Sequence, residues 1–451
     1  MVEPRRERAA ARLPIRLGRD PLAIARRVAA LGGAWAWLDG EGAPAGEPRV
    51  STFVIASAVI TAERGREREF LEQLRPELHP RGGAGGAVGG SLRCGWVVAL
   101  SYEFGVALLG VRPAADEQPP GFALRAETVL TLDHETGEAE LTGRSEASLA
   151  RIARRLATQV TEASGHRERP THAWRTSDER YRAHVEASVE SIREGDAYVL
   201  CLTDTARIDG SPDPIDVYAR LRAAGAGARG AVIVAGGRAL VSASPERFLS
   251  VRGRGVRTDP IKGTRRRDPD PARERDLADR LAGDPKERAE NLMIVDLMRN
   301  DLSRVCVPGT VGVEGFLRVE SHPHVHQLVS TVRGTLAPGL SGIDALISCF
   351  PGGSMTGAPK RSAVEILASL EGGPRGLYSG CFGWVDDGGD LELAMSIRGV
   401  EFRGASASCD PAHMLIGAGG GITADSDPER ELAERDLKAA ALIAAACDPV
   451  N

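Results

Sequence analysis

The pattern of apolar residues changes near residue 175, from short apolar runs to a pattern that also predicts helices. In the first part, the runs 51–60 and 96–100 are mainly apolar, which predicts short buried strands. In the second part, a capping box at 176–179 predicts the start of a helix that ends at Gly195. The apolar face of this helix consists of Tyr181, Val185, Val189 and Ile192. We therefore expect strands first, and helices together with strands from residue 176 onward.

The second part alternates predicted strands with predicted helices. The run 198–202 predicts a strand, and the sequence Asp386-Asp-Gly-Gly389 predicts a hairpin turn, which favours antiparallel pairing. A polar stretch at 166–174 predicts a linker. It separates a strand-rich N-terminal region, 1–170, from a region that carries most of the candidate chemistry, 176–450. The stretch 82–90, with six glycines, predicts a flexible surface loop.

Composition excludes several classes of protein. The chain has 451 residues, 42% apolar and 26% charged, which is ordinary for a soluble globular protein. A net charge of −5 argues against nucleic-acid binding, and the aromatic residues (4%) are too scattered to stack bases. No window approaches a membrane span. The seven cysteines form no CxxC pair and no signal peptide is visible, so we expect reduced thiols in a cytoplasmic protein.

Two predicted helices begin with the same acidic pattern. Each opens with Asp-Pro, at 284–285 and at 427–428, which suits the N-cap and first helical positions. The carboxylates that share a helix face are Glu287 and Glu290 in the first helix, and Glu431 and Glu434, with Lys438, in the second. If the two pairs converge, they form an all-oxygen site that suits Mg²⁺. The alternative is that these glutamates merely compensate the helix dipoles.

Two glycine-containing segments precede predicted helices. The segment 417–422 predicts a turn that offers backbone N–H groups to an anion. The segment 351–360 superficially suggests a P-loop, but Ala358-Pro359 separates Gly357 from Lys360 and Arg361 stands where Ser or Thr is required.

Two further features are compatible with either an ordinary structural role or a functional one. Arg398, on a predicted strand, is placed to bind a carboxylate with two hydrogen bonds or to form an ordinary surface ion pair. His322, His324 and His326 alternate along a predicted extended segment. They suggest a zinc site, although no Cys or Glu is placed to complete it.

Lysine is scarce in this chain, which prefers arginine. The only four lysines are Lys262, Lys286, Lys360 and Lys438. They are either remnants of that bias or positions where an amine is needed, because only an amine can lose its proton and attack carbon. Lys262 stands out because it lies in the tight sequence Asp259-Pro-Ile-Lys-Gly-Thr264. For such a role, burial must lower the pKa of Lys262.

Over residues 176–445 the chain resembles the chorismate-utilising enzymes, which include anthranilate, aminodeoxychorismate, isochorismate and salicylate synthases. The motifs that carry the resemblance are Ser244-Pro-Glu-Arg-Phe248, Pro260-Ile-Lys-Gly-Thr264, Lys286-Glu-Arg-Ala-Glu290, Asp296-Leu-Met-Arg-Asn-Asp-Leu302, Pro351-Gly-Gly-Ser-Met-Thr-Gly-Ala-Pro-Lys360 and Asp425-Ser-Asp-Pro-Glu-Arg-Glu431. The resemblance implies an α+β fold, with two curved antiparallel sheets packed as a sandwich, helices outside and the active site between the sheets.

The resemblance also implies roles for individual residues. Mg²⁺ is held mainly by Glu290 and Glu434, with Glu287 and Glu431 assisting through water. Glu246 is the general acid that protonates the hydroxyl leaving from C4 of chorismate. The residues implied to bind chorismate are Gly263, Thr264, Thr356, Tyr378, Arg398, Gly419, Gly420 and Lys438.

Lys262 indicates the branch of the family. The aminodeoxychorismate synthases resemble this chain in having Lys there, as a covalent nucleophile, whereas anthranilate synthases have Ala. An anthranilate synthase or another chorismate-aminating enzyme is the alternative, and a non-catalytic chorismate- or amino-acid-binding regulator is the remote one. Val199 stands where isochorismate and salicylate synthases have a basic Lys, which argues against both.

Three departures from the family bear on regulation and partners. Gln327 stands where many members have His. The N-terminal Leu-Leu-Glu-Ser signature of tryptophan-inhibited relatives is missing, which argues against tryptophan feedback. No cysteine lies in the Gly-x-Cys-x-Gly signature of glutamine amidotransferases. We therefore expect ammonia to come from a separate glutaminase subunit or from solution.

Overall fold

Antiparallel strands make up most of the structure, a computed structural model that describes residues 11–44, 46–75, 92–158, 170–225, 227–322, 325–404 and 412–447. The predicted loop 82–90, the start of the linker at 166–169, and His324 lie outside these residues. The strands are β1 Ala11–Ile15, β2 Trp35–Asp39, β3 Val50–Thr61, β4 Gly95–Leu100, β5 Gly121–Asp133, β6 Ala139–Gly143, β7 His172–Trp174, β8 Val199–Asp209, β9 Arg229–Ala235, β10 Arg238–Ser244, β11 Arg247–Arg252, β12 Gly255–Asp259, β13 Ile261–Arg266, β14 Gly312–Ser321, β15 Val325–Thr335, β16 Gly357–Ala358, β17 Cys381–Asp386, β18 Leu391–Met395, β19 Gly399–Arg403 and β20 His413–Ile422.

The helices of the described residues lie between these strands. They are α1 Pro21–Ala29, α2 Glu67–Leu74, α3 Tyr102–Leu108, α4 Glu146–Leu156, α5 Asp178–Arg193, α6 Pro214–Gly225, α7 Pro271–Gly283, α8 Pro285–Ser303, α9 Gly342–Cys349, α10 Lys360–Leu370 and α11 Pro428–Cys447. A short 3₁₀ turn, Gly353–Met355, precedes β16. None of these helices is both long and apolar enough to cross a membrane.

The strands form two rows that share β5. One row runs β8-β20-β19-β10-β9-β2-β3-β5. The other runs β5-β4-β17-β18-β11-β12-β15, and β13 and β14 also pair with β15. Every pair is antiparallel. A buried apolar cluster joins the rows face to face, with Val54 and Ile233 from the first row and Val97 and Phe382 from the second. The predicted α+β sandwich is confirmed, with hydrogen bonds that continue from one sheet to the other.

Local sequence signals account for the helix starts. Asp284 caps α8 by accepting hydrogen bonds from the backbone N–H groups of Lys286 and Glu287, and Pro285 occupies the first turn. At α5, the predicted capping box is displaced by one residue: the cap is Ser177, whose hydroxyl accepts from Arg180 N, and not Thr176. Gly195 follows α5 with φ +90°, a conformation that glycine adopts without strain.

Several predicted local structures are wrong. The first region, in which only strands were expected, also contains the helices α1 to α4, and the end of the predicted linker forms strand β7. The segment 417–422 is not a turn but the end of strand β20, paired with β8 along its length. It is glycine-rich because the strands approach closely: a Cβ on Gly419 would lie 2.0 Å from the carbonyl oxygen of Leu202. Arg398 is not on a strand. It lies in the bend between β18 and β19, with φ +51°, a strained value for a residue other than glycine.

Candidate active site

The two acidic helices, α8 and α11, begin side by side. The Lys286 ammonium connects them, since its Nζ lies 3.9 Å from Glu290 Oε1 on α8 and 3.7 Å from Glu431 Oε1 on α11. Ser426, just before α11, donates a hydrogen bond to Glu431 Oε1 at 2.8 Å. The two carboxylate pairs predicted from the sequence therefore lie near each other, as a shared metal site requires.

Strand β20 forms the floor between the two helices. A Cβ on Gly420 would lie 2.9 Å from Glu431 Oε2 and 3.3 Å from Glu434 Oε1. A Cβ on Gly421 would lie 3.5 Å from Glu290 Oε2 and 3.7 Å from Lys262 Nζ. Because both residues are glycines, the space between the carboxylates and the Lys262 amine stays open. The site thus joins α8, α11 and β13 over two glycines of one strand.

Burial and nearby lysines set the charges of these carboxyl groups. Burial raises the pKa of Glu290 and the pKa of Glu431 above their ordinary values. Burial also acts to raise the pKa of Glu434, but Lys438, whose Nζ lies 2.5 Å from Glu434 Oε1, holds it below its ordinary value. Glu287 faces Arg265, with Nη1 3.3 Å from Glu287 Oε1.

Oxygen ligands at these two helix starts fit a hard divalent cation. Buried carboxyl groups with raised pKa values are those that a bound cation would keep ionised. Within the described residues, no three of the four glutamates bring ligand atoms within 4.8 Å of one another. The one group of three acidic or imidazole ligands that does so is Asp39, Glu41 and His134, elsewhere in the fold. Two members of that other group, Asp39 and Glu41, already pair with the Arg222 guanidinium, which lies 3.0 Å from Asp39 Oδ2.

Lys262 is partly buried on β13, next to the carboxylates. Burial acts to lower its pKa, as the sequence analysis requires, but the negative groups around it outweigh burial and raise the pKa of Lys262. Cys201 contributes only as a thiolate, and burial raises the pKa of that thiol. Glu290, Glu246 and Glu434 therefore set the direction. The expected lowering of the Lys262 pKa is therefore wrong for the protein without added charge. For Lys262 to act as a nucleophile, added positive charge must offset the surrounding carboxylates.

Glu246 lies in the interior, 6% exposed, directly before β11. Burial raises the pKa of Glu246 to about 7, although a hydrogen bond from Ser354 and the charge of Lys262 oppose the effect. The Ser354 hydroxyl donates to Glu246 Oε1 at 2.8 Å. A carboxyl group of this kind can hold a transferable proton at neutral pH.

The residues expected to bind substrate differ in how free they are. The Arg398 side chain is exposed and makes no hydrogen bond to any residue that the structure describes. Tyr378 packs over Gly417, where a Cβ would lie 2.0 Å from its ring. Lys438 Nζ donates to the Gly419 carbonyl at 2.8 Å. Thr264 is exposed on β13. Contact of these residues with substrate stays a prediction.

Two other predicted residues are constrained by local packing. The hydroxyl of Thr356 donates to the Gly352 carbonyl at 3.2 Å, so it stabilises the 351–360 turn. Gly263 has φ +81°, and a Cβ there would lie 3.1 Å from Glu287 Oε2.

The remaining motifs have structural explanations. His322 and His326 belong to the β14–β15 hairpin and not to one extended segment, and His326 Nε2 lies 3.1 Å from Glu274. Among the described residues they gather no third zinc ligand. Lys360 is buried and pairs with Asp301 at 2.5 Å, which is a structural role. Gln327 is buried on β15, beside Thr264.

Sequence reasoning missed several residues of the site. Lys286 was noted as one of four lysines, but its position between the two helices depends on their packing. Ser354 lies within a quoted motif, yet its partner Glu246 is 108 residues away. The Cys201 thiol lies near Lys262, opposite Gly421 on the paired strand, and nothing in the sequence signals it.

Comparisons with known proteins identify the family. The sequence pattern of a family described as chorismate binding enzyme matches residues 44–444. The aminodeoxychorismate synthase of Streptomyces pristinaespiralis is 36% identical over 436 residues, which cover 90% of this chain and 59% of that protein. Anthranilate synthase component 1 of Haloferax volcanii is 41% identical over 292 residues, which cover 65% of this chain and 55% of that protein. This chain thus spans somewhat over half the length of these curated relatives.

A solved structure shares the fold. The anthranilate synthase component I from Streptococcus pneumoniae TIGR4 superposes with a TM-score of 0.76 at 24% identity, covering 87% of this chain and 92% of that one. The fold is thus shared with that structure. The family match over residues 44–444, together with this fold and site, shows that the chain belongs to the chorismate binding enzyme family.

Proposed function

We propose that this chain converts chorismate and ammonia to 4-amino-4-deoxychorismate, with Lys262 as a covalent nucleophile. The observation that carries the proposal is the position of the Lys262 amine beside Glu290, over the open floor at Gly421. Similarity to the Streptomyces pristinaespiralis protein along 90% of this chain supports the choice of reaction.

The reaction divides into two balanced steps. In the first, the neutral amine of Lys262 adds to C2 of the ring, the ring electrons shift, and the C4–O bond breaks. The proton of Glu246 goes to the departing hydroxyl, which leaves as water. In the second, ammonia adds at C4, the electrons shift back, and the bond between C2 and Lys262 breaks, which releases the neutral amine. The new C4 ammonium then returns a proton to Glu246. The net change exchanges the C4 hydroxyl for an amino group and regenerates Lys262.

Glu290 and Glu434 would hold Mg²⁺, with Glu287 and Glu431 assisting through water. When bound, Mg²⁺ supplies positive charge that binds the substrate's ring carboxylate and offsets the carboxylates that raise the pKa of Lys262. Arg398 is free to pair with a substrate carboxylate. The Tyr378 ring packs over Gly417 and Lys438 contacts the Gly419 carbonyl, so both lie against the strand that forms the floor of the site. Holding the ring in this way would keep C2 within reach of Lys262.

Amination at C2 to give anthranilate is the second candidate. It is favoured by the 41% identity to the Haloferax volcanii anthranilate synthase component 1. A chorismate-binding regulator without activity is a remote third candidate. Against it stand the buried carboxyl group of Glu246, whose pKa is raised to about 7, and the amine of Lys262, which lies close enough to influence that pKa.

We further propose that a glutamine amidotransferase subunit supplies the ammonia. The 451 residues contain no Gly-x-Cys-x-Gly nucleophile motif. The product would then serve p-aminobenzoate formation.

Product identification tests the proposal. The protein is incubated with chorismate, Mg²⁺ and ammonium, and the products are separated by mass spectrometry and fluorescence. We expect a product that an added aminodeoxychorismate lyase converts to p-aminobenzoate. Anthranilate as the main product would favour the second candidate, and unconsumed chorismate would favour the regulator.

A further inference from the structure

Ser354 and Glu246 meet in the interior although 108 positions separate them in the sequence. The hydroxyl of Ser354 donates a hydrogen bond to Glu246 Oε1 at 2.8 Å. Ser354 is 7% exposed and Glu246 is 6% exposed, so water competes little for this contact. The charged group that faces Glu246 is Lys262, on β13.

The backbone around Ser354 is held on several sides. Arg375, itself buried, donates from Nη1 to the Met355 carbonyl at 2.7 Å. A Cβ on Gly353 would lie 2.6 Å from Leu297 Cδ2, and one on Gly352 would lie 2.2 Å from Met395 Cε. The 3₁₀ turn therefore packs against α8 and β18 with no space to shift. Such packing fixes the direction in which the Ser354 hydroxyl can donate.

This contact distinguishes the two oxygens of Glu246. An oxygen that accepts the Ser354 hydrogen bond is poorly placed to carry the acidic proton as well, so the proton resides on Oε2. We propose that Ser354 is a positioning residue that directs the transferable proton of Glu246 to Oε2, toward the leaving hydroxyl of the substrate. The proposal rests on the proposed function only in that Glu246 protonates that hydroxyl. The electron pair of the C4–O bond stays on the oxygen, which leaves as water.

Removal of the hydroxyl tests the proposal by steady-state kinetics. In Ser354→Ala we expect kcat to fall about tenfold at pH 6, where Glu246 is protonated in both proteins, because the proton is no longer directed. KM for chorismate should stay within about twofold, since Ser354 holds no substrate group. The Ser354 hydrogen bond stabilises the charged form of Glu246. Its loss should raise the pH at which kcat falls on the alkaline side of the profile by about one unit. Ser354→Thr, which keeps a hydroxyl, should restore the parent limb.

A matched control removes another hydroxyl nearby. Ser348, on α9, donates to the Asp301 carbonyl at 2.7 Å and lies outside the site. Ser348→Ala should alter stability without moving the pH profile. If Ser354→Ala fails to fold, Ser354→Cys, a similar volume with a weak donor, replaces it. A pH limb and kcat that are the same as those of the parent protein would overturn the proposal.

Infrared spectroscopy gives a readout that does not need turnover. The carboxyl band of Glu246, assigned by its loss in Glu246→Gln, should titrate near 7 in the parent and at higher pH in Ser354→Ala. The result is the same whichever product forms. An absent shift would refute the positioning role even if amination is confirmed, and a shift without turnover would refute the proposed function alone.

Discussion

Lys262 is the residue on which the choice of product depends. Lys262→Ala should abolish amination at C4 because it removes the nucleophile. It should keep the fold, because the pKa values of Glu246 and Glu290 rise when the neighbouring ammonium is lost and both carboxyl groups can then be neutral. Some anthranilate is expected instead, since the family resemblance associates Ala with the ortho product. Lys262→Arg should also lose the para product, because a guanidinium keeps the charge but cannot attack carbon. Both are measured by product analysis after incubation with ammonium. Aminodeoxychorismate at near the parent rate in either variant would refute covalent catalysis.

The metal proposal is tested at Glu290 and Glu434. Glu290→Gln or Glu434→Gln should raise the Mg²⁺ concentration for half-maximal turnover by about tenfold, because an amide is a poorer ligand for a hard cation. Glu429→Gln is the matched control, since Glu429 lies in the first turn of α11 with its side chain 71% exposed. An equal effect of all three changes would favour dipole compensation over metal binding.

The variant Glu290→Gln, which should weaken Mg²⁺ binding, should also stabilise the metal-free protein. Because burial raises the pKa of Glu290, its charged form destabilises the folded state at pH values above that pKa. Glu290→Gln should therefore raise the melting temperature at pH 8 in the presence of a chelator, and the gain should shrink as the pH falls and Glu290 is protonated in the parent. Thermal unfolding at the two pH values measures this. A lower melting temperature at pH 8 would contradict it.

At the scale of elements, two glycines of β20 have different reasons to be glycine. Gly421→Ala should fold normally, because its Cβ would make only ordinary contacts, 3.5 Å from Glu290 Oε2, but the methyl group would fill the site and raise KM. Gly419→Ala should lower the melting temperature, because its Cβ would lie 2.0 Å from a carbonyl oxygen of β8. Thermal unfolding and kinetics of both variants separate the two effects; the reverse pattern would mean that the floor is misassigned.

A buried ion pair ties α10 to α8. Lys360→Met leaves Asp301 without its partner and should cost about 3–5 kcal/mol at pH 8. Burial raises the pKa of Asp301, so the cost should shrink at pH 5, where more of the unpaired carboxyl is neutral. Arg361→Met, at an exposed neighbour, is the control. Urea unfolding at both pH values measures the difference. An equal cost at pH 5 and pH 8 would mean that the charge of Asp301 is not the cause.

Elements were predictable where their signals are local. The Asp-Pro starts of α8 and α11 and the hairpin turn at 386–389 follow from neighbouring residues. Strand β20 was not predictable, because a glycine-rich sequence predicts a turn. Only its pairing with β8 explains why the glycines lie in a strand. The bend at Arg398 and the contact between Ser354 and Glu246 also depend on packing between distant segments. The sequence places the four glutamates on two helix faces, but the packing of the two helices against each other depends on the fold, and metal binding stays a prediction.

At the scale of the whole molecule, the nitrogen source can be tested. The purified 451-residue chain should aminate chorismate with ammonium but not with glutamine, since it lacks the amidotransferase motif. The ammonium-driven rate should rise with pH as free ammonia increases, until groups of the enzyme titrate. Addition of a cognate glutaminase subunit should confer glutamine use. Glutamine-dependent product from the highly purified chain alone would refute the two-component proposal.

The pairing of N-terminal strands with strands from much later in the chain affects folding during synthesis. Trp37 on β2 pairs with Val232, and Val97 on β4 pairs with Trp384, so early strands await partners translated much later. At roughly 5–20 residues per second, a ribosome needs many seconds to supply them. During that time the N-terminal strands expose unpaired edges. Slow, non-local folding is expected, with exposure to aggregation, and chaperone demand should fall mainly on nascent chains that lack β17.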